Sequence, residues 1–270
     1  MSHGGATYEI DISTSSPDNY LIGHAIDGRV LFPATGYLAL AWRSLAKMKG
    51  YVYEEMPVRF ENVNIYRATI LPSEGKVIFN VNIMESTGTF EISESNTLVC
   101  SGFVSMLTSS IDTNDNDHNE DFPLTSSDVY KELRLRGYDY GPDFRGIVRT
   151  NIEGNTGELR WNGNWVSYLD TMLQMSILGV SDGCLRLPTR ITSMSVDPNS
   201  HKEQVYQAAD GQNVTFVKID KDLNTCTSGG VEILGLHATV APRRVQQSAP
   251  MLEEYCFVPR ISTRLLVKYY

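Results

Sequence analysis

Three polar side chains set in apolar surroundings are the residues of this sequence best suited to acid–base chemistry. His24 opens the run HAIDGRVLFPATGYLALAWRSLAKMKG, ahead of Gly28, Pro33 and an apolar stretch that ends at Gly50. An imidazole titrates close to neutral pH, so a histidine delivered to the rim of an apolar element is a natural general base. Asp170 and Gln174 stand in a second apolar run, WVSYLDTMLQMSILGV, four residues apart and therefore on one face of a helix. Burial disfavours the charged form of a carboxylate, so Asp170 is expected to hold a proton that it can give away. A base paired with an acid is what an elimination requires: one takes a proton from carbon while the other protonates a departing hydroxyl.

The elements that carry these groups follow from local signals. Pro33 suits a first helical turn and Gly50 a left-handed stop, and between them Tyr37, Leu38, Ala41, Leu45 and Met48 recur at helical spacing. Ala39, Leu40 and Trp42 add apolar groups on the other sides, so this helix is expected to be buried nearly all round. Gly28 permits a tight reversal before it and could bring an unshielded N–H close to a ligand. The second apolar helix is expected over about Ser167 to Val180, and a shorter one over Asp128 to Leu135.

Period-two alternation predicts strands at Tyr8 to Ile12, Val58 to Ile65, Lys76 to Met84, Thr89 to Ser93 and Leu98 to Leu107. Further strands are expected at Ile147 to Glu153, Gly157 to Trp161, Leu187 to Val196, Val214 to Ile219 and Val231 to Val240. Between the two sets, SSIDTNDNDHNED is acidic and nearly free of apolar groups, which reads as a solvated linker. The expected organisation is a first unit at residues 1–108, a linker at 109–126, a second unit at 127–245 and a connecting tail at 246–270. Each unit pairs one buried helix with its own antiparallel sheet, an α+β architecture of the double hot-dog kind, although no residue-by-residue repeat relates the two.

Composition excludes several classes of function. The 270 residues are 41% hydrophobic and 20% charged, an ordinary globular balance. A net charge of −9 without any basic run argues against a nucleic-acid partner. No apolar run reaches the roughly 18 residues of a membrane span and the N-terminus has no hydrophobic signal core, so a cytoplasmic chain without membrane association is expected. Cys100, Cys184, Cys226 and Cys256 lie far apart with no CxxC pair, which favours reduced thiols over a disulfide frame or a zinc site. Residues 179–183 match GxSxG, but that hydrolase elbow needs a strand before it and a helix after it, the reverse of the order expected here.

Taken together, His24-Gly28-Pro33 as HxxxGxxxxP, Asp170-Gln174 as DxxxQ and Tyr140 to Phe144 as YGPxF resemble the dehydratase domain of animal fatty acid synthase, a relative of the polyketide synthase dehydratases. The wording GRVLFPATGY, YKELRLRGYDYGP, WVSYLDTMLQ and LPTR favours the former, over about residues 19–257. The resemblance implies a pseudo-dimeric double hot dog with a single site between the halves. Its reaction would convert a (3R)-3-hydroxyacyl thioester, carried on the phosphopantetheine of acyl carrier protein, to the trans-2-enoyl thioester and water, with no metal and no other cofactor. By position, His24 would remove the α-proton and Asp170 would protonate the 3-hydroxyl. Gln174 and Tyr140 would orient the carboxyl or the hydroxyl, and the Gly28 N–H would polarise the thioester carbonyl. Leu31, Phe32, Pro33, Pro142, Leu187 and Pro188 would line the acyl tunnel. The implied partners are the carrier domain and neighbouring synthase domains, to which the tail RISTRLLVKYY would connect.

Plainer readings stand beside these. A lone histidine is more often satisfied by backbone than catalytic, Asp170 could cap or pair, and Tyr140 could simply pack its turn. A catalytically silent acyl-binding module of a synthase, or a hot-dog thioesterase, would share much of the pattern.

Overall fold

The protein is described by a computed structural model that covers residues 3–109, 111, 121–180, 182–208 and 210–243. The central part of the acidic linker and the expected connecting tail, with Cys256, lie outside the described residues. Strand β1 (His3–Ile10) leads through a 3₁₀ turn at Pro17–Gly23 into the short hairpin β2 (Ala25–Ile26) and β3 (Arg29–Val30). Helix α1 (Ala34–Lys49) follows, then β4 (Val58–Ile65), β5 (Val77–Met84), β6 (Thr89–Glu94) and β7 (Thr97–Met106). After the acidic stretch come β8 (Leu124–Thr125), α2 (Ser126–Arg136), β9 (Ile147–Thr150), β10 (Thr156–Arg160) and α3 (Trp165–Leu178). The chain continues through β11 (Arg186–Val196), α4 (Pro198–Gln204), β12 (Tyr206–Gln207), β13 (Asn213–Asp220), β14 (Thr225–Ser228) and β15 (Val231–Val240).

Local chemistry accounts for the element ends. Pro33 is extended and stands just outside α1 as its N-cap rather than inside the first turn, and Gly50 closes the helix at a φ of 76°. Thr125 and Asp128 form a reciprocal capping box at the start of α2, and the Asn164 side chain accepts the Val166 and Ser167 N–H groups at the start of α3. In β5, Val77, Phe79, Val81 and Ile83 face the core while Ile78 and Asn82 face outward.

Apart from the separate β2-β3 hairpin, the strands form one antiparallel sheet in the order β1-β5-β6-β7-β4-β11-β15-β14-β13-β10-β9-β8, with β12 pairing β13. Separate sheets were expected for the two halves, and here the structure differs. β4 pairs β11 with Val58 opposite Val196 and Phe60 opposite Met194, and all four side chains are fully buried, so splitting the sheet would expose them. Helix α1 packs on β1 and β4 to β7, α3 packs on β10 and β13 to β15, and the two helices pack against each other. The Trp42 and Trp165 rings lie 5.6 Å apart across that contact, and the buried Thr35 hydroxyl donates to the Val166 carbonyl at 2.9 Å. Counted from the first residue of each helix, Ala39 and Arg43 hold on α1 the positions that Asp170 and Gln174 hold on α3.

Among the described residues, no helix is long and apolar enough to cross a membrane. Cys100, Cys184 and Cys226 are free thiols. The glycines of the GxSxG run follow α3 and precede β11, the inverse of a hydrolase elbow; Ser181 itself lies outside the described residues.

The second half holds a buried histidine with a structural part. His201 on α4 sits among the rings of Trp161, Trp165 and Tyr168, at 4.4, 4.7 and 4.8 Å, with Nδ1 at 2.6 Å from the Gly229 carbonyl and Nε2 buried without a partner. Burial pushes its pKa down to about 4. The unfolded chain, with an ordinary histidine near about 6.5, therefore binds a proton that the native state refuses between these two values. Stability is fully present above pH 6.5 and falls as pH drops toward 4, by about 3 kcal/mol for this one group. Urea denaturation across that range is expected to show the loss, and His201→Gln is expected to remove this component of the pH dependence.

Candidate active site

The short hairpin explains how His24 is aimed. His24 caps the 3₁₀ turn, with its N–H donating to Leu21 O at 2.9 Å. The chain then reverses at Asp27 and Gly28, whose φ values of 50° and 73° are those of a two-residue hairpin turn. Ala25 thereby pairs with Val30 and Ile26 with Arg29, which brings Leu31 back opposite His24. Leu31 N–H donates to His24 O at 3.0 Å, and His24 Nδ1 lies 2.7 Å from Leu31 O. A carbonyl only accepts, so Nδ1 carries the hydrogen, and in the neutral ring Nε2 is left with a bare lone pair.

Three of the expected site residues lie away from the cavity wall. Gly28 is exposed at the tip of the hairpin and is not among the residues that line the cavity. Its spacing from His24 exists because the turn must return Leu31 to the imidazole. Pro33 and Pro142 do not line the cavity either. Pro33 caps α1, while Pro142 opens a 3₁₀ turn and accepts from Arg160 Nη2 at 2.6 Å. At the cavity wall α1 contributes Ala34, its first residue, and Tyr37.

The other face of the site comes from α3 and from the segment before β9. Asp170 and Gln174 are both buried on α3. Asp170 Oδ1 lies 3.5 Å from His24 Nε2, while its Oδ2 accepts from Gln174 Nε2 at 2.9 Å. Gln174 Nε2 also donates to Phe144 O at 2.9 Å, and its Oε1 accepts the Tyr130 hydroxyl at 2.9 Å. Tyr130 was not anticipated from sequence, because a tyrosine on the apolar face of an amphipathic helix reads as core.

Tyr140 is delivered by close approach of the two halves. Asp27 N–H donates to Gly137 O and Asp139 N–H to Ala25 O, both at 2.8 Å, and Gly141 N–H donates to Gly23 O at 2.7 Å. The hairpin and residues 137–141 thus run along one another, and the imidazole of His24 is flanked by Tyr140 at 5.6 Å and Phe144 at 5.1 Å. Tyr140 stacks on Tyr138 at 5.6 Å. Burial, then the neighbouring Asp170, holds the Tyr140 phenol well above its usual range, and burial pushes Tyr138 up to about 12. Both stay protonated and able to donate at neutral pH.

His24, Tyr138, Tyr140, Asp170 and Gln174 line a cavity of about 300 Å³. Its walls are largely apolar and include four expected tunnel residues, Leu31, Phe32, Leu187 and Pro188, together with Ile26, Tyr37, Leu173 and Ile177. Arg67 and Arg186 reach the more exposed part of the lining. Among the described residues no cluster of three or more His, Cys, Asp or Glu is arranged to hold a metal ion. The cavity therefore offers an apolar channel with one base, one carboxyl and an oriented amide at its wall.

Residues 2–95 match the family described as polyketide synthase dehydratase domain. Among solved structures, the dehydratase domain from the CurF module of curacin polyketide synthase shares 19% identity, covering 90% of this chain and 94% of that one, at a TM-score of 0.67. Two CurK dehydratase mutants described as inactive also match. The aspartate-to-asparagine mutant shares 20% identity over 89% of this chain and 94% of that one, at a TM-score of 0.62. The histidine-to-phenylalanine mutant shares 20% identity over 88% and 91%, at a TM-score of 0.63. The fold is a double hot dog. In this double hot dog the first unit supplies the imidazole and the second supplies the carboxyl and the amide, so the cavity is complete only where the halves meet.

That meeting depends on two glycines. A Cβ on Gly141 would stand 2.8 Å from the Gly23 Cα, closer than carbon atoms approach. Gly141 has a φ of −83°, which any residue adopts, so the cost of Gly141→Ala is steric. The substitution is expected to lower stability by roughly 1–3 kcal/mol and to displace the His24 ring, read by urea denaturation and by imidazole chemical shifts.

Proposed function

We propose that this chain is a dehydratase acting on 3-hydroxyacyl thioesters. The observation that carries the reading is the 3.5 Å approach of His24 Nε2 to Asp170 Oδ1 at the wall of an apolar cavity, with the second polar atom of each side chain already tied. His24 Nε2, lacking a hydrogen, takes the α-proton from C2. The C2–H electron pair becomes the C2–C3 double bond as the C3–O bond breaks, and Asp170 gives its proton to the departing hydroxyl, which leaves as water. The imidazolium and carboxylate that remain are near enough to return the proton to Asp170 and restore the starting state.

Charge develops on the thioester carbonyl oxygen during proton removal, and donors aimed at that oxygen lower the barrier. The first turn of α1, with Ala34 at the cavity wall, takes this part in place of Gly28. Gln174 fixes the carboxyl, and the Tyr140 phenol, protonated and beside the imidazole, holds the 3-hydroxyl. The apolar walls receive the acyl chain and exclude water from the C2 carbanion character that builds up. The inactive CurK mutants lack an aspartate in one case and a histidine in the other, the two residue types paired here.

The finer reading places the chain in fatty acid elongation, with a (3R)-3-hydroxyacyl chain on acyl carrier protein and a trans-2-enoyl product. It rests on the motif wording, GRVLFPATGY and WVSYLDTMLQ above all, which resembles animal fatty acid synthase. A linker within 109–126, a tail joined to neighbouring synthase domains and a cytoplasmic setting belong to the same reading.

The test supplies a 3-hydroxyacyl thioester surrogate and follows the product by mass. Loss of one water is expected, and release of a free thiol without water loss would instead point to a thioesterase. His24→Ala and Asp170→Asn are each expected to lower kcat by about 10²- to 10⁴-fold with the fold retained by circular dichroism. Unchanged turnover in either variant removes that residue from the mechanism.

A further inference from the structure

Resting on the dehydratase reading, we infer that Tyr130 is a positioning residue that sets which oxygen of Asp170 faces the substrate. Tyr130 lies on α2, is buried, and is not part of the cavity wall, so it acts through another side chain. Its hydroxyl oxygen accepts the Ile147 N–H at 3.0 Å. The single hydroxyl hydrogen is thereby turned toward Gln174 Oε1 at 2.9 Å, with Phe144 O farther off at 3.3 Å.

That contact completes the Gln174 amide. Its oxygen is taken by Tyr130, and its nitrogen donates to Phe144 O and to Asp170 Oδ2, both at 2.9 Å. A rotated amide would set its oxygen against the Phe144 carbonyl and its N–H groups against a hydroxyl that already receives an N–H. Only one orientation satisfies every group, and in it Oδ2 of Asp170 is occupied while Oδ1 is left toward His24. Helix α2 is itself fixed to α3, because Arg136 Nη1 donates to Ile177 O at 3.2 Å and to Val180 O at 2.8 Å. The phenol and the amide it orients thus stand on helices tied to each other.

Removing the hydroxyl leaves the Oε1 of a buried amide without a donor, so Gln174 gains a reason to turn and the carboxyl loses its fixed face. In turnover of a 3-hydroxybutyryl N-acetylcysteamine thioester, Tyr130→Phe is expected to lower kcat roughly 10- to 100-fold with KM little changed. The same substitution made in a Gln174→Ala protein is expected to cost nothing further, because the group it orients is gone. Equal losses in the two backgrounds, or a change confined to KM, would overturn the proposal.

A second readout needs no turnover. The side-chain amide resonance of Gln174 in the free protein is expected to shift in Tyr130→Phe, and an unmoved resonance overturns the positional claim by itself. A wild-type protein that releases no water overturns the dehydratase reading and the kinetic claim with it, while the amide resonance still decides whether Tyr130 holds Gln174. Should Tyr130→Phe not fold, fluorotyrosine at position 130 replaces it: the more acidic phenol moves the amide resonance if the contact orients Gln174 and leaves it in place if it does not.

Discussion

The hydrogen bond from His24 Nδ1 to the Leu31 carbonyl is the interaction on which the geometry of the candidate site depends. It decides the tautomer, and the tautomer decides that the nitrogen facing Asp170 has a lone pair to offer. The bond exists because the chain turns at Asp27-Gly28 and comes back in register, so that a backbone oxygen seven residues on meets the ring. A backbone carbonyl anchored by a hairpin and by α1 moves less than a side-chain acceptor would. The imidazole is therefore oriented by the same segment that starts the helix at the cavity wall.

The carboxyl side is built by a different means. Asp170 sits on a helix buried nearly all round, where an unpaired polar group is costly, and each of its oxygens has a neighbour: Gln174 for one, His24 for the other. The two sides are brought together by backbone contacts between the hairpin and residues 137–141, by the Gly23–Gly141 approach, and by the continuous sheet across β4 and β11. The cavity is thus held by main-chain hydrogen bonds around its rim and by side-chain packing beneath it.

Much of this was legible in the sequence because it rests on local periodicity. The alternation in Val77–Met84 and the apolar wrap of Trp165–Leu178 fixed strand and helix to within a residue or two. His24, Asp170 and Gln174 stood out because polar groups in apolar runs need partners. What escaped is non-local. The joining of the halves into one sheet depends on β4 meeting β11, and nothing in either strand names its partner. The strand Thr225–Ser228 carries too few apolar residues to announce itself, and α4 is a single short helix. A glycine near a site can serve either backbone turning or ligand approach, and for Gly28 only the register of the hairpin separates the two. Tyr130 was hidden because its hydroxyl points inward from an otherwise ordinary amphipathic helix.

The mismatch between the two long helices has a consequence for how such a frame diversifies. Ala39 and Arg43 occupy on α1 the places that Asp170 and Gln174 hold on α3, and Arg43 turns its guanidinium over the Tyr53 ring at 4.7 Å. In a homodimer with strict two-fold symmetry every residue is duplicated, so a group useful in one cleft is forced into the other. Covalent union of the halves removes that bond between copies. One half is then free to supply an imidazole and the other a carboxyl with its amide, while the corresponding place on α1 is given over to packing Arg43 on Tyr53.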